Sequence, residues 1–474
     1  MELLATCRRR LAEIAAAAAG DARPAAGRVA PPADDAVALL CDLDYLQRPP
    51  AAPAFAPTHA DDGELANRLA LLSLAARCER LFRLPCARAP DAVFLGAELR
   101  PARFGKHTAA PAVIGVGGMG LTLRAAFEAC IGEAAEFLSF LSTGDEPLFA
   151  AAAAEMRATP AAGHGSGIPA AALDWMLDAV GLDRASRTDP IRWIRATSLD
   201  GGHDMPFPAD LCLRRQPAAD DPIQRAADST GCAAGATPND ARYRALMEVI
   251  ERDAIALWWY GGQPAAAIAF DSPHGAGLPA FLDALGRDDE RPCRLLDLTT
   301  DLGVPVVAAL SSDADGGSIA LGFSADTDVT TAARGAILEL CQVELARDLI
   351  ALKERQGGPG ALNDADRRHR DLQQRLHADR FPQLRPRMAA KRYVADGQND
   401  RAALLAHCLA AVNDAGFASY GIDLTRPQIG IHVVKVLVPG LQPARRDCMA
   451  PRLSEMMKQN KLAIETLSQP LPLV

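Results

Sequence analysis

Ser229–Asp253 reads STGCAAGATPNDARYRALMEVIERD, and the architecture of the chain turns on this stretch. Small residues and two glycines, Gly231 and Gly235, lead to a Thr237-Pro238 step. An unbroken helical pattern follows, with Ala241, Ala245, Leu246, Val249 and Ile250 on one apolar face. Thr237 suits the N-cap, Pro238 the first helical position and Asp240 the first turn. Glu248 and Glu251 stand three residues apart, so they leave one face about a turn from each other, with Arg252 beside them. A glycine-rich entry to a helix offers backbone N–H groups to phosphate, and paired carboxylates offer hard oxygens to Mg2+. Taken alone, the window also reads as a surface helix with a solvated charged end.

Two further windows share its spacing. Gly118–Phe137 runs GMGLTLRAAFEACIGEAAEF and superposes without a gap: Gly120 on Gly235, Thr122 on Thr237, Ala126 on Ala241, Glu133 on Glu248 and Glu136 on Glu251. A third copy, TDVTTAARGAILELCQ, sets Ala332 on Ala126 and Glu339 on Glu133, with Gln342 where Glu136 would fall. An internally repeated scaffold follows from this self-similarity. Three copies of one acidic helix face are expected to converge on something cationic. Mg2+ carrying a nucleotide triphosphate meets that description, because the ions need several carboxylates and phosphates fill their remaining sites.

The central pattern STGxAAGxTxxxAxxxALxExxERDA, with the earlier GxGxTxxxAxxxxxxExxE and the later RxAxLExxQ, resembles the YcaO superfamily. Val434–Leu441, reading VKVLVPGL, and the nearby Arg452-Leu453 are similar to its azoline-forming cyclodehydratase branch. The resemblance runs from about residue 90 to the C-terminus. It divides the chain into an N-terminal helical or irregular extension, 1–90, and an ATP-binding catalytic domain, 91–474. Three positions depart from the family pattern: Met119 replaces a lysine, Phe137 an arginine and Ala236 an asparagine.

The resemblance implies ATP and Mg2+ as cofactors and activation of a peptide amide by phosphorylation, with Cys, Ser or Thr closing onto the backbone to give an azoline. It implies Glu133, Glu136, Glu248 and Glu251 as Mg2+ ligands, assisted by Asp240 and Glu339. Gly118, Gly120, Ser229 and Thr237 fall to the nucleotide; Arg252 and Arg334 fall to phosphates or the carboxylates around them. Related proteins make thioamides or macroamidines instead, and a non-catalytic scaffold subunit is the reading from another class. The implied partners are a precursor peptide and a separate leader-binding protein, and a homodimer is compatible with the pattern. Pro470, Pro472 and Val474 partly match a proline-spaced tail that enters the active site in similar proteins; a frayed end is the alternative.

Bulk properties narrow the classes. A chain of 474 residues with net charge −9 gives no electrostatic case for nucleic acid. Eleven scattered cysteines without a Cys-x-x-Cys read as reduced thiols of a cytoplasmic protein, and no apolar run is long enough for a transmembrane helix. The patterns predict helices over 1–19, 63–82 and 399–415. They predict strands over 93–99, 111–117, 189–199, 294–298, 305–310, 318–323, 418–424 and 430–438, with a charged surface excursion over 353–387. Strands interleaved with helices give an α/β fold of mixed sheets with flanking helices and pseudo-repeated lobes around a central nucleotide site.

Overall fold

The computed structural model describes residue 9 and residues 60–106, 111–157, 167–182, 185–215, 223, 227–287, 290–388, 400–443 and 448–463. The helix expected over 1–19 therefore lies, apart from Arg9, outside the described residues. The elements follow in the order α1 (Ala60–Ala76), β1 (Arg80–Leu84), β2 (Val93–Leu99), β3 (Ile114–Gly120), α2 (Leu123–Phe140), β4 (Phe149–Ala152), α3 (Ala170–Val180), β5 (Pro190–Ser198), β6 (Met205–Pro208) and the single turn α4 (Ala209–Cys212). Next come β7 (Cys232–Gly235), α5 (Pro238–Trp259), β8 (Ala266–Ala267), α6 (Leu278–Ala284), β9 (Arg294–Asp297), β10 (Val306–Ser311) and β11 (Ala320–Ala325). The described chain closes with α7 (Val329–Gly357), α8 (Asp364–Arg375), α9 (Arg401–Asp414), β12 (Tyr420–Asp423), β13 (His432–Leu437) and α10 (Pro451–Gln459).

The strands form three sheets, ordered β1-β2-β3, β11-β10-β9-β8 and β4-β5-β12-β13-β7, with β6 paired to β5. Each ladder between named strands runs antiparallel. One helix ends earlier than its pattern suggests. The run expected over 63–82 stops at Ala76, and Arg80–Leu84 becomes a strand whose Phe82 lies opposite Gly96 of β2. Pairing with a neighbouring strand overrides the helical period there.

The self-similar windows become three strand–helix units: β3 into α2, β7 into α5 and β11 into α7. Each strand is the terminal one of its sheet, and each helix packs directly on it. The helices start the same way. Thr122 accepts from the Ala125 N–H at 3.1 Å, Thr237 from the Asp240 N–H at 3.1 Å and Asp328 from the Thr331 N–H at 2.7 Å. Every helix thereby satisfies an otherwise orphaned N–H in its first turn.

Strand and helix approach so closely that side chains are excluded between them. A Cβ on Gly118 would lie 2.2 Å from the Cys130 nitrogen, and one on Gly235 2.2 Å from the Ala241 nitrogen. Gly235→Ala is therefore expected to cost about 1–3 kcal/mol by overpacking, read from urea denaturation. An unchanged midpoint would mean that β7 and α5 can part freely.

Three apolar cores support the units. One joins α1, α2 and α3 to the first sheet and to β5, a second surrounds α5 with Trp258 and Trp259, and a third lies between α7 and the outer side of β9 and β10. Among the described residues, no helix is long and apolar enough to cross a membrane.

Candidate functional site

Each repeated unit turns its first glutamate back onto its own strand or, for Glu248, onto the residue just before it. Glu133 accepts from the Gly117 N–H at 2.8 Å and Glu248 from the Gly231 N–H at 3.0 Å; Glu339 accepts from the Phe323 N–H. The second glutamate instead crosses to the next unit. Glu136 of α2 accepts from the Ala234 N–H of β7 at 2.7 Å, and Glu251 of α5 accepts from the Ala325 N–H of β11. Ala234 precedes Glu248, and Ala325 precedes Glu339, by the same fourteen residues. The second carboxylate of one unit thus caps the equivalent point of its successor, and a continuous ladder of acids crosses from α2 through α5 to α7.

Arg252 is the cation set into this ladder, 3.4 Å from Glu248 and 3.4 Å from Glu251. Burial opposes its charge, but Glu251, Glu248 and Glu339 outweigh that and raise its pKa. The acids respond in the opposite sense. Burial, with Glu248 and Glu133 adding repulsion, pushes Glu136 up to about 8 despite the bond from Ala234. Burial likewise pushes Glu251 up to about 8, against the pull of Arg252 and with repulsion from Glu339 and Glu248. Glu133 and Glu339 are raised by the same desolvation. Three of the five carboxylates act on Arg252, and Arg244 is the cation acting on Glu136, so acids outnumber cations and the raised carboxyls hold protons near neutral pH that a bound cation would displace.

This imbalance has a sign in pH. Glu136 and Glu251 sit at about 8 in the fold against an ordinary 4.5. A carboxyl raised in that way favours the fold fully below its unfolded pKa, and the contribution is lost as pH rises through the folded value. Asp253, raised to about 6 by burial, acts in the same direction. The ligand-free chain is expected to melt at progressively lower temperature from about pH 5 to about pH 8. Glu136→Gln should flatten that slope; an identical slope would place the carboxyl in ordinary solvent.

A cavity of about 460 Å³ opens beside the ladder, lined by Glu133, Glu136, Ala236, Asp240 and Arg244 among others. Its size falls in the range of small-molecule sites, about 300–1,000 Å³. Asp240 is held at its rim by the Ala236 N–H at 3.1 Å, by Arg244 at 3.2 Å and by Arg401 at 3.3 Å. The hydroxyl of Thr237 is engaged as the N-cap of α5. Ser229 is exposed, in a loop fastened from below by buried Lys435, whose ammonium donates to the carbonyls of Asp228 at 2.9 Å and Thr230 at 2.6 Å. Lys435 belongs to β13, which pairs with β7, so the late VKVLVPGL segment lies alongside the central unit.

The structure brings Glu133, Glu136, Glu248, Glu251, Glu339 and Arg252 together. Gly118 and Gly120 are buried in β3, and Gly118 has a packing reason to be glycine. Arg334 is exposed and stacks over the Phe281 ring at 5.6 Å; no ion pair with the ladder is described for it. Pro470, Pro472 and Val474 lie outside the described residues. Met119 is 4% exposed and faces the third core, while Phe137 packs on the first core below the Arg214 guanidinium. A lysine at position 119 would therefore need to leave that core to reach the ladder.

Sequence reasoning missed Arg244, Arg124, Asn67 and Arg68, all of which line the cavity. Arg244 had a local signal, standing four residues after Asp240 on the same helix. Asn67 and Arg68 had none, because α1 reaches the cavity only by packing against α2.

The residues suit a hydrated divalent cation with phosphates. Among the described residues, no group of three His, Cys, Asp or Glu side chains is arranged to hold a metal ion unaided. Mg2+ does not need such a cage, since it keeps waters and takes phosphate oxygens beside one or two carboxylates.

A family model described as YcaO cyclodehydratase, ATP- and Mg2+-binding, matches residues 117–442. An uncharacterised protein of Methanothermobacter thermautotrophicus is 26% identical over 260 residues, covering 53% of this chain and 66% of that protein. A solved heterocyclase in complex with substrate and cofactor superposes with a TM-score of 0.66 at 22% identity, covering 88% of this chain and 58% of that one. The chain thus spans a little under two thirds of both these relatives. A chain of the E. coli microcin synthetase McbBCD complex superposes with a TM-score of 0.58 at 17% identity, covering 83% of this chain and 96% of that one. At these identities the two structural likenesses establish the fold.

Proposed function

Because the chain belongs to the YcaO cyclodehydratase family, described as ATP- and Mg2+-binding, we propose that it is an ATP- and Mg2+-dependent peptide cyclodehydratase subunit. It converts Cys, Ser or Thr residues of a ribosomally made precursor peptide to azolines. The observation that carries this reading is the ladder of desolvated glutamates from three repeated units beside a cavity of nucleotide-compatible size. Bound there, Mg2+–ATP supplies the phosphoryl group that makes a backbone amide oxygen a leaving group.

The chain's own part is positioning and charge. Glu133, Glu136, Glu248 and Glu251 offer oxygens to Mg2+, and Asp240 and Glu339 extend the acidic wall on either side. Arg252 keeps Glu248 and Glu251 in register and presents a guanidinium to phosphate, for which its fork geometry suits it. Gly118, Gly120, Ser229 and Thr237 are assigned to the nucleotide side and Arg334 to phosphate, reached by a turn of its side chain away from Phe281. Pro470, Pro472 and Val474 are assigned to the substrate end, with deletion of the last five residues as the test. A precursor peptide and a separate leader-binding protein are the proposed partners, in keeping with the McbBCD neighbour being a complex.

Calorimetry with ATP and Mg2+ tests the reading. Binding is expected with net proton release near pH 7, because a cation favours the ionised forms of carboxyls that sit at about 8 in its absence. The released protons are read by repeating the titration in buffers of different ionisation heat. No heat at millimolar concentrations, with or without the partner, would remove the nucleotide site. A second reading, a non-catalytic scaffold, is favoured by the burial of Met119 and the packing of Phe137. Binding without ATP turnover, in the presence of partner and precursor, selects it.

A further inference from the structure

A second cavity, of about 360 Å³, opens between the C-terminal half of α7, α8 and the turn from β10 to β11. Arg347 on α7 follows Glu339 by eight residues, or about 12 Å along the helix axis. The cavity is thus separate from the glutamate ladder but carried on the same helix. Its walls hold three arginines, Arg347, Arg370 and Arg380, against one carboxylate, Glu354.

The cations differ in how far they are already satisfied. Arg370 is committed to Glu354 at 2.9 Å and to Asp371 at 3.1 Å. Arg347 donates to the carbonyl of Ser318, and burial together with nearby Arg291 and Arg88 makes its charge costly to hold. For Arg380 no side-chain hydrogen bond or ion pair is described. Two polar atoms of the same wall are buried without a partner: Nε2 of His369, and Oε1 of Gln373, a residue only 8% exposed. A solvated cationic surface would leave such atoms in water. Here they are withdrawn from it, and buried polar atoms ordinarily have partners.

The rim carries one more departure from ordinary geometry. Ser318 sits at φ 51°, a left-handed conformation uncommon outside glycine. Its carbonyl is thereby aimed at Arg291 and Arg347, which places both guanidinium groups beside the turn. Backbone conformations of this kind cluster at ligand clamps.

We propose that this cavity binds a compact oxyanion of the phosphate class, either inorganic phosphate or the phosphoryl group of a small phosphomonoester. Arg380 and Arg347 supply the charge-assisted donors. His369, neutral because burial and Arg347 lower its pKa, donates through Nε2–H. Gln373 presents its NH2 when the two ends of its amide exchange.

Titration calorimetry on the full chain tests this at constant ionic strength, with inorganic phosphate and O-phosphoserine as the two probes. Saturable binding of one equivalent is expected, weakened about tenfold or more in Arg380→Gln. Arg380 is exposed, so that variant should keep the fold. Arg385→Gln, an exposed arginine 3.0 Å from Asp379 that does not line the cavity, should leave binding unchanged. Tighter O-phosphoserine would assign the ligand to the esters, and tighter inorganic phosphate to the free ion. Phosphate lodged at the glutamate ladder would be insensitive to Arg380. No binding to the wild type, equal binding in Arg380→Gln, or an equal loss in Arg385→Gln would overturn the proposal.

Discussion

Glu251→Gln is expected to lower ATP turnover by about 10²-fold or more, the loss typical of removing one preorganised charge from a phosphoryl-transfer site. The substitution is nearly isosteric, and the amide oxygen can still accept from the Ala325 N–H. It removes a negative charge that Arg252 at 3.4 Å only partly offsets and that Glu339 and Glu248 oppose. The ligand-free variant should accordingly melt at a higher temperature than the wild type near pH 8, where the wild-type carboxyl is about half ionised in the fold and fully ionised in the unfolded chain. Slower turnover with a higher melting temperature is the signature of a residue held for function at a cost in stability. Equal turnover in both proteins would mean that this helix face merely carries charge. A lower melting temperature would mean that Glu251 is a structural partner of Arg252.

Glu344→Gln has the opposite character, with an expected loss of about 3–5 kcal/mol in unfolding free energy. Glu344 is fully buried on α7, five residues beyond Glu339. It accepts from Arg287 at 2.7 Å, from Arg291 at 3.3 Å and from the Ser311 hydroxyl at 2.5 Å. Although burial disfavours its charge, the bonds from Arg287 and Ser311 and the charge of Arg291 hold the carboxyl below the usual range. The group fastens α7 to the end of β10 and so helps to place Glu339. A neutral amide leaves Arg287 without its compensating charge in the interior, and removing one partner of a buried pair is what costs most. Replacing Glu344, Arg287 and Arg291 together by apolar residues should recover part of the loss, because no buried charge then lacks a partner. Chemical denaturation reads both variants, and a loss below about 1 kcal/mol in the single variant would place the network in solvent.

Much of the scaffold was legible in local spacing. Glycine, threonine and glutamate recur at the same offsets in Gly118–Glu136 and Gly235–Glu251, and these offsets alone placed the N-caps and one acidic face on each helix. Capping depends on residues three apart and a helix face on residues three or four apart, so a linear reading suffices for both. The strands before α2 and α7 were readable within a few residues, by length and apolar content, whereas the small residues that form β7 read as a glycine-rich helix entry and not as a strand.

Only the tertiary structure decided which unit each carboxylate serves. Glu133 and Glu136 look equivalent in the sequence, yet one bonds its own strand and the other bonds Ala234 of the next unit. Burial raises the pKa of both, and for Glu136 the approach of Glu248 adds to it against the bond from Ala234, contributions that exist only once α2 and α5 are packed. The sheet likewise decided the fate of Met119. In a strand, successive side chains leave opposite faces, and which face meets a core depends on the layers on either side. Here Gly118 faces α2 and Met119 faces the core beneath α7, so a position aligned with a family lysine became a packing residue. Arg334 on Phe281, and Asn67 and Arg68 on the cavity wall, follow the same rule. Their neighbours are distant in sequence, and no local period encodes a contact between residues that only folding brings together.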